Sequence, residues 1–462
     1  MDAASVARPS FGEEFFASAA LGDRRRTRRL IRLADQFVRH PEGTLPDKLP
    51  DPAALKAAYR LMDAEKVTHA AVLEPARQRA WELVTAAPGP VLLIHDGTEL
   101  DYTGLRSLEG LGHIGNGSHR GYLCHNVLAI EAGSRAVLGL VHQELAKRPV
   151  RPRRESRAQR RDKPDRESRL WKRATQAIPQ AAASQVEVAD RGGDVLEFLD
   201  AMAAAGKKYL VRSRHNRRVE WADGTQAKLH DVARTLPEAG RRVCAVPAHE
   251  GRPARVAELA VSFAEVRLRV PAQPRGEIRG VPLPVWVVRV WEAAPPAGVT
   301  ALEWVLLTNV AVADAAAAWE RVDWYEARWV IEEYHKGLKT GCGIEELQFT
   351  TEERLQPMIA LLSVVAVFLL RLRATARHDD ADKTAATELF PATTVEALIR
   401  WRHGEMRPGW TVAEFCLALG RLGGHQNRRG DAPPGWLVLW RGWMKLQLMA
   451  EAIALRDQEK CG

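Results

Sequence analysis

The stretch Trp324–Gly341, WYEARWVIEEYHKGLKTG, sets two kinds of side chain against each other. At 100° per residue, Tyr325, Arg328, Glu332, Lys336 and Lys339 fall within about 80° of one another, while Ala327, Ile331, Tyr334 and Leu338 gather on the opposite side. The spacing predicts one short helix with a buried apolar face and an ionic face. Taken alone, the ionic face has a plain explanation. Arg328 to Glu332 and Glu332 to Lys336 are i,i+4 pairs, each stabilising an exposed helix by roughly 0.2–0.5 kcal/mol. The alternative is a carboxylate flanked by cations that serve a reaction, and the choice depends on what the rest of the chain brings to Glu332.

The chain has 462 residues, 46% of them hydrophobic, enough for two or three domains with a substantial core. Lys and Arg number 67 against 58 Asp and Glu, a net charge of +9 and a pI near 9.4. That balance suits a polyanionic partner and equally suits simple solubility. The excess is concentrated: between Lys147 and Arg173, 13 basic residues stand against 4 acidic ones. This segment reads either as a solvated linker or as a surface for a polyanionic partner. The five cysteines, Cys124, Cys244, Cys342, Cys416 and Cys461, show neither CxxC nor ligand spacing, so a disulfide framework and a zinc site are not expected and a reducing cytoplasm fits. The longest uncharged apolar run, Met358–Leu370, is short for a bilayer span and reads as a core helix, and the N-terminus lacks a signal-peptide core; no membrane is expected.

Upstream, Asp23 precedes a helical pattern with Leu30, Leu33, Ala34, Phe37 and Val38 on one side and Arg24, Arg25, Arg28, Arg29 and Arg32 on the other. An arginine stripe of this kind grips phosphates or simply faces water. Two more helical patterns follow, giving a helical N-terminal domain over residues 1–72. GPVLLIHDGTELDYTG is then a strand with Asp96 at its end, and RGYLCHNVLAIEAGSRAVLGLVHQEL reads as two strands joined by the turn at Ala132–Arg135. After a helix, SQVEVADRGGDVLEFLDAM gives a strand ending in Asp190 and a helix capped by Asp194, and KKYLVRSRH is a further strand. Three strands, helix, strand, helix, strand is the order of a ribonuclease-H-like α/β core, here over residues 73–372. A β-rich insertion at about 216–311 interrupts it before the Glu332 helix, and residues 373–462 form a helical C-terminal domain.

Carboxylates at the ends of neighbouring buried strands lie where open α/β sheets place their ligands, which brings Asp96 and Asp190 to one edge. Glu332 can supply a third oxygen donor. Three converging carboxylates repel one another and are tolerable mainly with divalent cations between them. Two Mg²⁺ ions about 3.5–4 Å apart stabilise both the attacking and the leaving oxygen of a phosphoryl displacement. Arg328 and Lys339 then become phosphate clamps, and Tyr325 with Trp304 or Trp329 offers ring faces for an unstacked base. Core packing is the ordinary alternative for each aromatic.

The pattern Tyr325-x2-Arg328-x3-Glu332-x6-Lys339 resembles the Tyr-Arg-Glu-Lys signature of DDE transposases in the insertion-sequence-four family. SAALGDRRRTRRL, RGYLCHNVL, GLVHQE, VRSRH, LEWVLLTN and LLSVVAVFLLRLR extend the resemblance over nearly the whole chain. It implies a cut-and-paste DNA transposase with Asp96, Asp190 and Glu332 as a triad for two Mg²⁺ ions, Mn²⁺ substituting. It further implies that Tyr325, Arg328 and Lys339, with Lys336 beside them, hold the transposon-end backbone, that Trp304 stacks a flipped base, and that Arg212 and Arg214 lie against DNA. The N-terminal helices, with Arg24, Arg25 and Arg28, would bind the inverted-repeat end of double-stranded DNA, and the C-terminal helices would form the homodimer of the synaptic complex. Where close relatives have Asp-Arg-Glu-Ala-Asp, this chain has DRGGD, Asp190–Asp194, and Gly192-Gly193 is expected to loosen the turn beside Asp190. A non-catalytic DNA-binding regulator and a host-adopted nuclease are the rival readings; the intact carboxylates and the arginine-rich first helices argue against the regulator.

Overall fold

The computed structural model describes residues 9–148, 156, 159, 163, 166–180, 184–246, 253–270, 278–376, 380–428, 431 and 433–459. The middle of the basic segment, with the polyanion contacts expected of it, lies outside the described residues.

Five helices open the chain: α1 Phe11–Phe16, α2 Arg24–Arg39, α3 Leu45–Lys48, α4 Pro52–Met62 and α5 His69–Ala86. The Asp23 carboxylate starts α2 by accepting from the Arg25 N–H at 2.8 Å. Leu30, Leu33, Ala34, Phe37 and Val38 are buried along one stripe, and Arg24, Arg25 and Arg28 stay exposed.

The sheet begins with β1 Val91–Asp101, β2 Gly112–His113, β3 Arg120–Glu131 and β4 Val137–Ala146. Then come α6 Leu170–Ala177, β5 Gln185–Ala189, α7 Leu196–Ala204 and β6 Lys208–Arg212. β1 pairs antiparallel with β3, and β3 with β4. On its other side β1 pairs parallel with β5, and β5 with β6. The spatial order β4-β3-β1-β5-β6, with two helical crossovers, is ribonuclease-H-like. Val91–His95 are buried because both faces of the sheet are covered.

Six more strands follow: β7 Arg218–Glu220, β8 Gln226–Lys228, β9 Gly240–Val246, β10 Arg255–Leu268, β11 Leu283–Glu292 and β12 Glu303–Thr308, with helix α8 Leu229–Thr235 after β8. They continue the same sheet. β12 pairs antiparallel with β6, Leu306 opposite Arg212, so among the described residues twelve strands form one sheet and Trp304 comes beside the end of β6.

Beyond the sheet lie α9 Ala315–Glu326, α10 Trp329–Lys336 and α11 Glu352–Ala376, and then α12 Ala386–Leu389, α13 Ala392–His403, α14 Val412–Leu422 and α15 Trp436–Glu459. α11 extends the apolar run Met358–Leu370 at both ends. By length and composition it could cross a membrane, with a mean hydropathy of 2.1 over its best window, 83% of which is buried inside the protein. A continuous hydrophobic cluster joins Phe37, Ile94, Ile331, Leu361 and Leu446. Trp440 donates to Glu42 and Trp443 to the Val38 carbonyl, both at 3.1 Å, so α15 packs on α2 and the loop after it. The four described cysteines, Cys124, Cys244, Cys342 and Cys416, are free thiols.

Candidate active site

Asp96 is in the middle of β1, not at its end. β5 stops at Ala189, opposite His95, while β1 runs on beside β3 to Asp101. Asp96 is therefore the first β1 residue without a β5 neighbour, because only the antiparallel partner is long enough to continue the pairing. Asp190 directly follows β5 and accepts from the Gly192 N–H at 2.7 Å. Both carboxylates thus mark the level at which the parallel pairing ends, the usual place for ligands in such sheets.

The single helix expected over Trp324–Gly341 is broken in two. Arg328, Val330 and Ile331 donate their N–H groups to the carbonyls three residues back, at 3.1–3.2 Å, a tightened turn between α9 and α10. After α10 the chain widens into a π turn over Gly337–Gly341, closed by the Cys342 N–H on the Gly337 carbonyl at 2.8 Å. Ala327, Ile331, Tyr334 and Leu338 are all buried, as their spacing required. The ionic face is altered. The tight turn carries Arg328 inward, where it is 7% exposed, and Tyr325 is 3% exposed. Lys336 alone of the five is fully on the surface.

Arg328 sits between two of the three carboxylates. Its Nη1 donates to Asp96 Oδ2 at 3.1 Å and its Nη2 to Glu332 Oε1 at 2.6 Å. Burial pushes the Asp96 carboxyl up to about 6, with the negative charges of Asp190 and, more weakly, Glu332 adding to it; Arg328 and the Gly97 N–H pull the other way. Asp190 and Glu332 are thus both near enough to act on Asp96.

Aromatic and basic groups surround this cluster. Trp304 meets Tyr325 edge-on at 5.1 Å between centroids, and the Arg212 guanidinium lies 5.8 Å from the Trp304 ring. Burial raises the Tyr325 hydroxyl's pKa against the opposing charges of Arg328 and Arg212. Lys339 pairs with Glu345 at 3.0 Å, and Glu345 also accepts from the Asp101 N–H at 2.8 Å. Arg214 is exposed on the loop after β6. Arg24, Arg25 and Arg28 remain on α2 and take no part in the cluster.

Two local expectations are corrected. Asp194 does not cap α7, whose N-cap is Val195. Its buried carboxylate instead accepts from the Arg214 and His215 N–H groups at 2.6 and 2.8 Å and pairs with Arg217, fixing the loop that presents Arg214. Nor do Gly192 and Gly193 loosen the turn at Asp190. They let the Trp171 indole pack onto it: a Cβ on Gly193 would stand 2.5 Å from the Ala189 Cβ and 3.3 Å from Trp171, and one on Gly192 would stand 2.9 Å from Trp171. Trp171 carries no sequence signal for this work, and Asp194 none beyond standing four residues after Asp190.

Among the described residues, no three His, Cys, Asp or Glu side chains are gathered to hold a metal ion as they stand. The donor chemistry nevertheless fits a hard divalent cation. The Asp190 and Glu332 charges both act on Asp96, whose carboxyl is held up near 6, and a guanidinium already bridges Asp96 and Glu332.

A ribonuclease-H-like sheet with acidic groups where the parallel pairing ends, next to a basic and aromatic rim, defines a class of enzymes that break phosphodiester bonds with metal ions. Residues 9–67 match the family model for transposase DNA-binding segments, and residues 166–369 match the transposase DDE domain. These matches identify the protein as a DDE transposase, a metal-dependent enzyme that acts on DNA. The first contains Arg24, Arg25 and Arg28; the second contains Asp190 and Glu332 and begins beyond Asp96.

Proposed function

We propose that the protein is a cut-and-paste transposase of the insertion-sequence-four group, similar to the transposase of the bacterial composite transposon numbered five. The observations that support this reading are Arg328 bridging Asp96 and Glu332 and the Asp190 charge acting on Asp96. Asp96, Asp190 and Glu332 would hold two Mg²⁺ ions, or Mn²⁺ in their place, which when bound neutralise charge at the scissile phosphate and acidify the attacking water. Residues 1–72 recognise the inverted-repeat end, residues 73–372 carry the chemistry on the interrupted sheet, and residues 373–462 supply the homodimer contact of the synaptic complex, in the cytoplasm.

On the DNA end, Arg328 exchanges its carboxylates for a backbone phosphate, a planar fork on a planar acceptor. Lys339 and Lys336 add point charges along the same strand, and Arg212 and Arg214 extend the contact. Trp304, edge-on to Tyr325, takes a flipped base on its open face. Water attacks the phosphorus at the transposon end and the 3′-oxygen leaves as a hydroxyl. That hydroxyl attacks the opposite strand, closing a hairpin and releasing the flank; a second water reopens it, and the 3′-hydroxyl then attacks a target phosphate.

The test is incubation of the purified protein with its flanking genomic DNA and Mg²⁺, followed by analysis of cleaved ends, hairpins and joined products. Asp96→Ala, Asp190→Ala and Glu332→Ala are each expected to abolish cleavage and leave end binding, since the basic surface is untouched. Near-parental cleavage by any of them rejects the triad. End binding without cleavage by the parent points to the regulator, and cleavage without joining to the nuclease.

A further inference from the structure

Asp96 and Asn126 are direct partners across the antiparallel β1–β3 ladder, so their side chains leave the same face of the sheet side by side. The Asn126 amide reaches α10: its Nδ2 lies 3.1 Å from His335 Nε2. His335 is three residues beyond Glu332, on the same side of that helix. One hydrogen bond therefore ties the strand position next to Asp96 to the helix turn that carries Glu332.

Asn126 is itself fixed from behind. Gln143 Nε2 donates to Asn126 Oδ1 at 2.8 Å and to Ser363 Oγ at 2.9 Å. Gln143 Oε1 faces His69 Nε2 at 2.9 Å, and the Ser363 hydroxyl donates to the Ile359 carbonyl at 2.7 Å. The chain of bonds has one consistent direction. With Asn126 Oδ1 taken by Gln143, Nδ2 must donate, so His335 Nε2 accepts and the ring proton sits on Nδ1. Burial, with Lys339 and Arg328 nearby, pushes the His335 imidazole down to about 3, which keeps it neutral and able to accept. Asn126, Gln143 and Ser363 are buried and each has its partners, so the network draws α5, β3, β4, α10 and α11 together at one point.

We propose that Asn126 and His335 are positioning residues that set the separation of Asp96 and Glu332 for divalent-cation binding. This rests on the reading of those two carboxylates as metal ligands. Neither residue touches the reacting atoms. Their effect is to hold α10 in register against β3, so that the two oxygen donors meet a cation without the helix having to be reordered when it arrives. Outer partners of this kind typically change metal affinity by roughly ten- to a hundredfold when removed.

The experiment compares the parent with Asn126→Ala, His335→Ala, the double variant and His335→Gln, whose amide oxygen can still accept from Asn126. Mn²⁺ binding to each protein on a duplex of its flanking DNA end is titrated by electron paramagnetic resonance, and melting temperature and end binding are measured alongside. Either alanine variant is expected to raise the half-saturating Mn²⁺ concentration about tenfold with end binding kept. The double variant should be no worse than the singles, and His335→Gln should return close to the parent. An unchanged half-saturation in both alanine variants, additive losses, or a glutamine variant as impaired as His335→Ala overturns the proposal. Amide hydrogen exchange over residues 329–341 in the metal-free chain separates the two ideas and needs only Asn126→Ala to fold. Faster exchange there, in a protein whose parent binds no Mn²⁺ at the DNA end, upholds the tether and sinks the metal reading; unchanged exchange sinks the tether.

Discussion

Replacing Asp96 with Asn should stabilise the metal-free protein at neutral pH while abolishing DNA cleavage. Burial and the charges of Asp190 and Glu332 take the Asp96 carboxyl from its ordinary 3.8 up to about 6, even with Arg328 and the Gly97 N–H acting against them. Because the folded-state value is the higher one, the proton that stabilises the fold is fully held below the unfolded value and is lost as pH rises through about 6. At about 1.4 kcal/mol per pH unit, the ionised carboxylate costs the fold about 1 kcal/mol near pH 4.5 and about 3 kcal/mol above pH 6.5. Asparagine has the same shape without the charge and Arg328 keeps Glu332, but its one amide oxygen can accept from Arg328 or from the Gly97 N–H and not from both, a loss that is the same at every pH. Urea denaturation in the presence of a chelator at pH 4.5, 5.5, 6.5 and 7.5 should therefore show a stability gap in favour of Asp96→Asn that widens by about 2 kcal/mol across the series. Mn²⁺ and end DNA together should narrow the gap at pH 7.5 by stabilising only the parent. A gap that does not change with pH refutes the idea that Asp96 is held ionised against its surroundings.

Three other substitutions probe the surroundings of the cluster. Gly193→Ala drives a methyl to 2.5 Å from the Ala189 side chain, overpacking that costs about 1–3 kcal/mol; a melting temperature and cleavage rate equal to the parent's would show that the turn is as loose as its glycines suggest. Trp304→Ala should slow hairpin closure more than first-strand nicking, since stacking a flipped base contributes about 1–3 kcal/mol, and equal losses in gel-resolved time courses would remove that role. Replacing Arg24, Arg25 and Arg28 together with Ala should flatten the plot of log affinity against log salt by about 0.9 for each phosphate that is no longer neutralised; an unchanged slope in filter binding would assign those arginines to solvent.

Where apolar spacing and turn residues agreed, the fold was legible. The stripe of α2, the β3–β4 hairpin around Ala132–Arg135 and the helix within Glu352–Ala376 all follow from patterns that bury one face or both. The sheet's continuation through β7–β12 was not, because pairing between β12 and β6 joins residues about a hundred positions apart and leaves no periodic trace. Asp96 was put at a strand end and lies within β1; how far β1 runs is decided by the length of its partner β3, which the β1 segment itself does not encode.

The stretch around Glu332 failed as a helical wheel for a physical reason. A wheel assumes a constant turn, and here the chain tightens at Ala327–Arg328 and widens at Gly337–Gly341. The apolar residues keep their places because the core holds them, so the change in phase falls on the ionic residues, and Arg328 turns in. The plain explanation of those charges then holds in part: Arg328 and Glu332 do form an i,i+4 pair. Yet a surface ladder would leave it solvated, and this guanidinium is buried and shared with Asp96. Removing this cation would leave Asp96 without its charge partner, while Glu332, whose side chain is 36% exposed, would turn to solvent. On the proposed reading, Arg328 would leave for a DNA phosphate at least cost when a cation or a proton takes its place beside Asp96, which would couple phosphate contact to cation uptake.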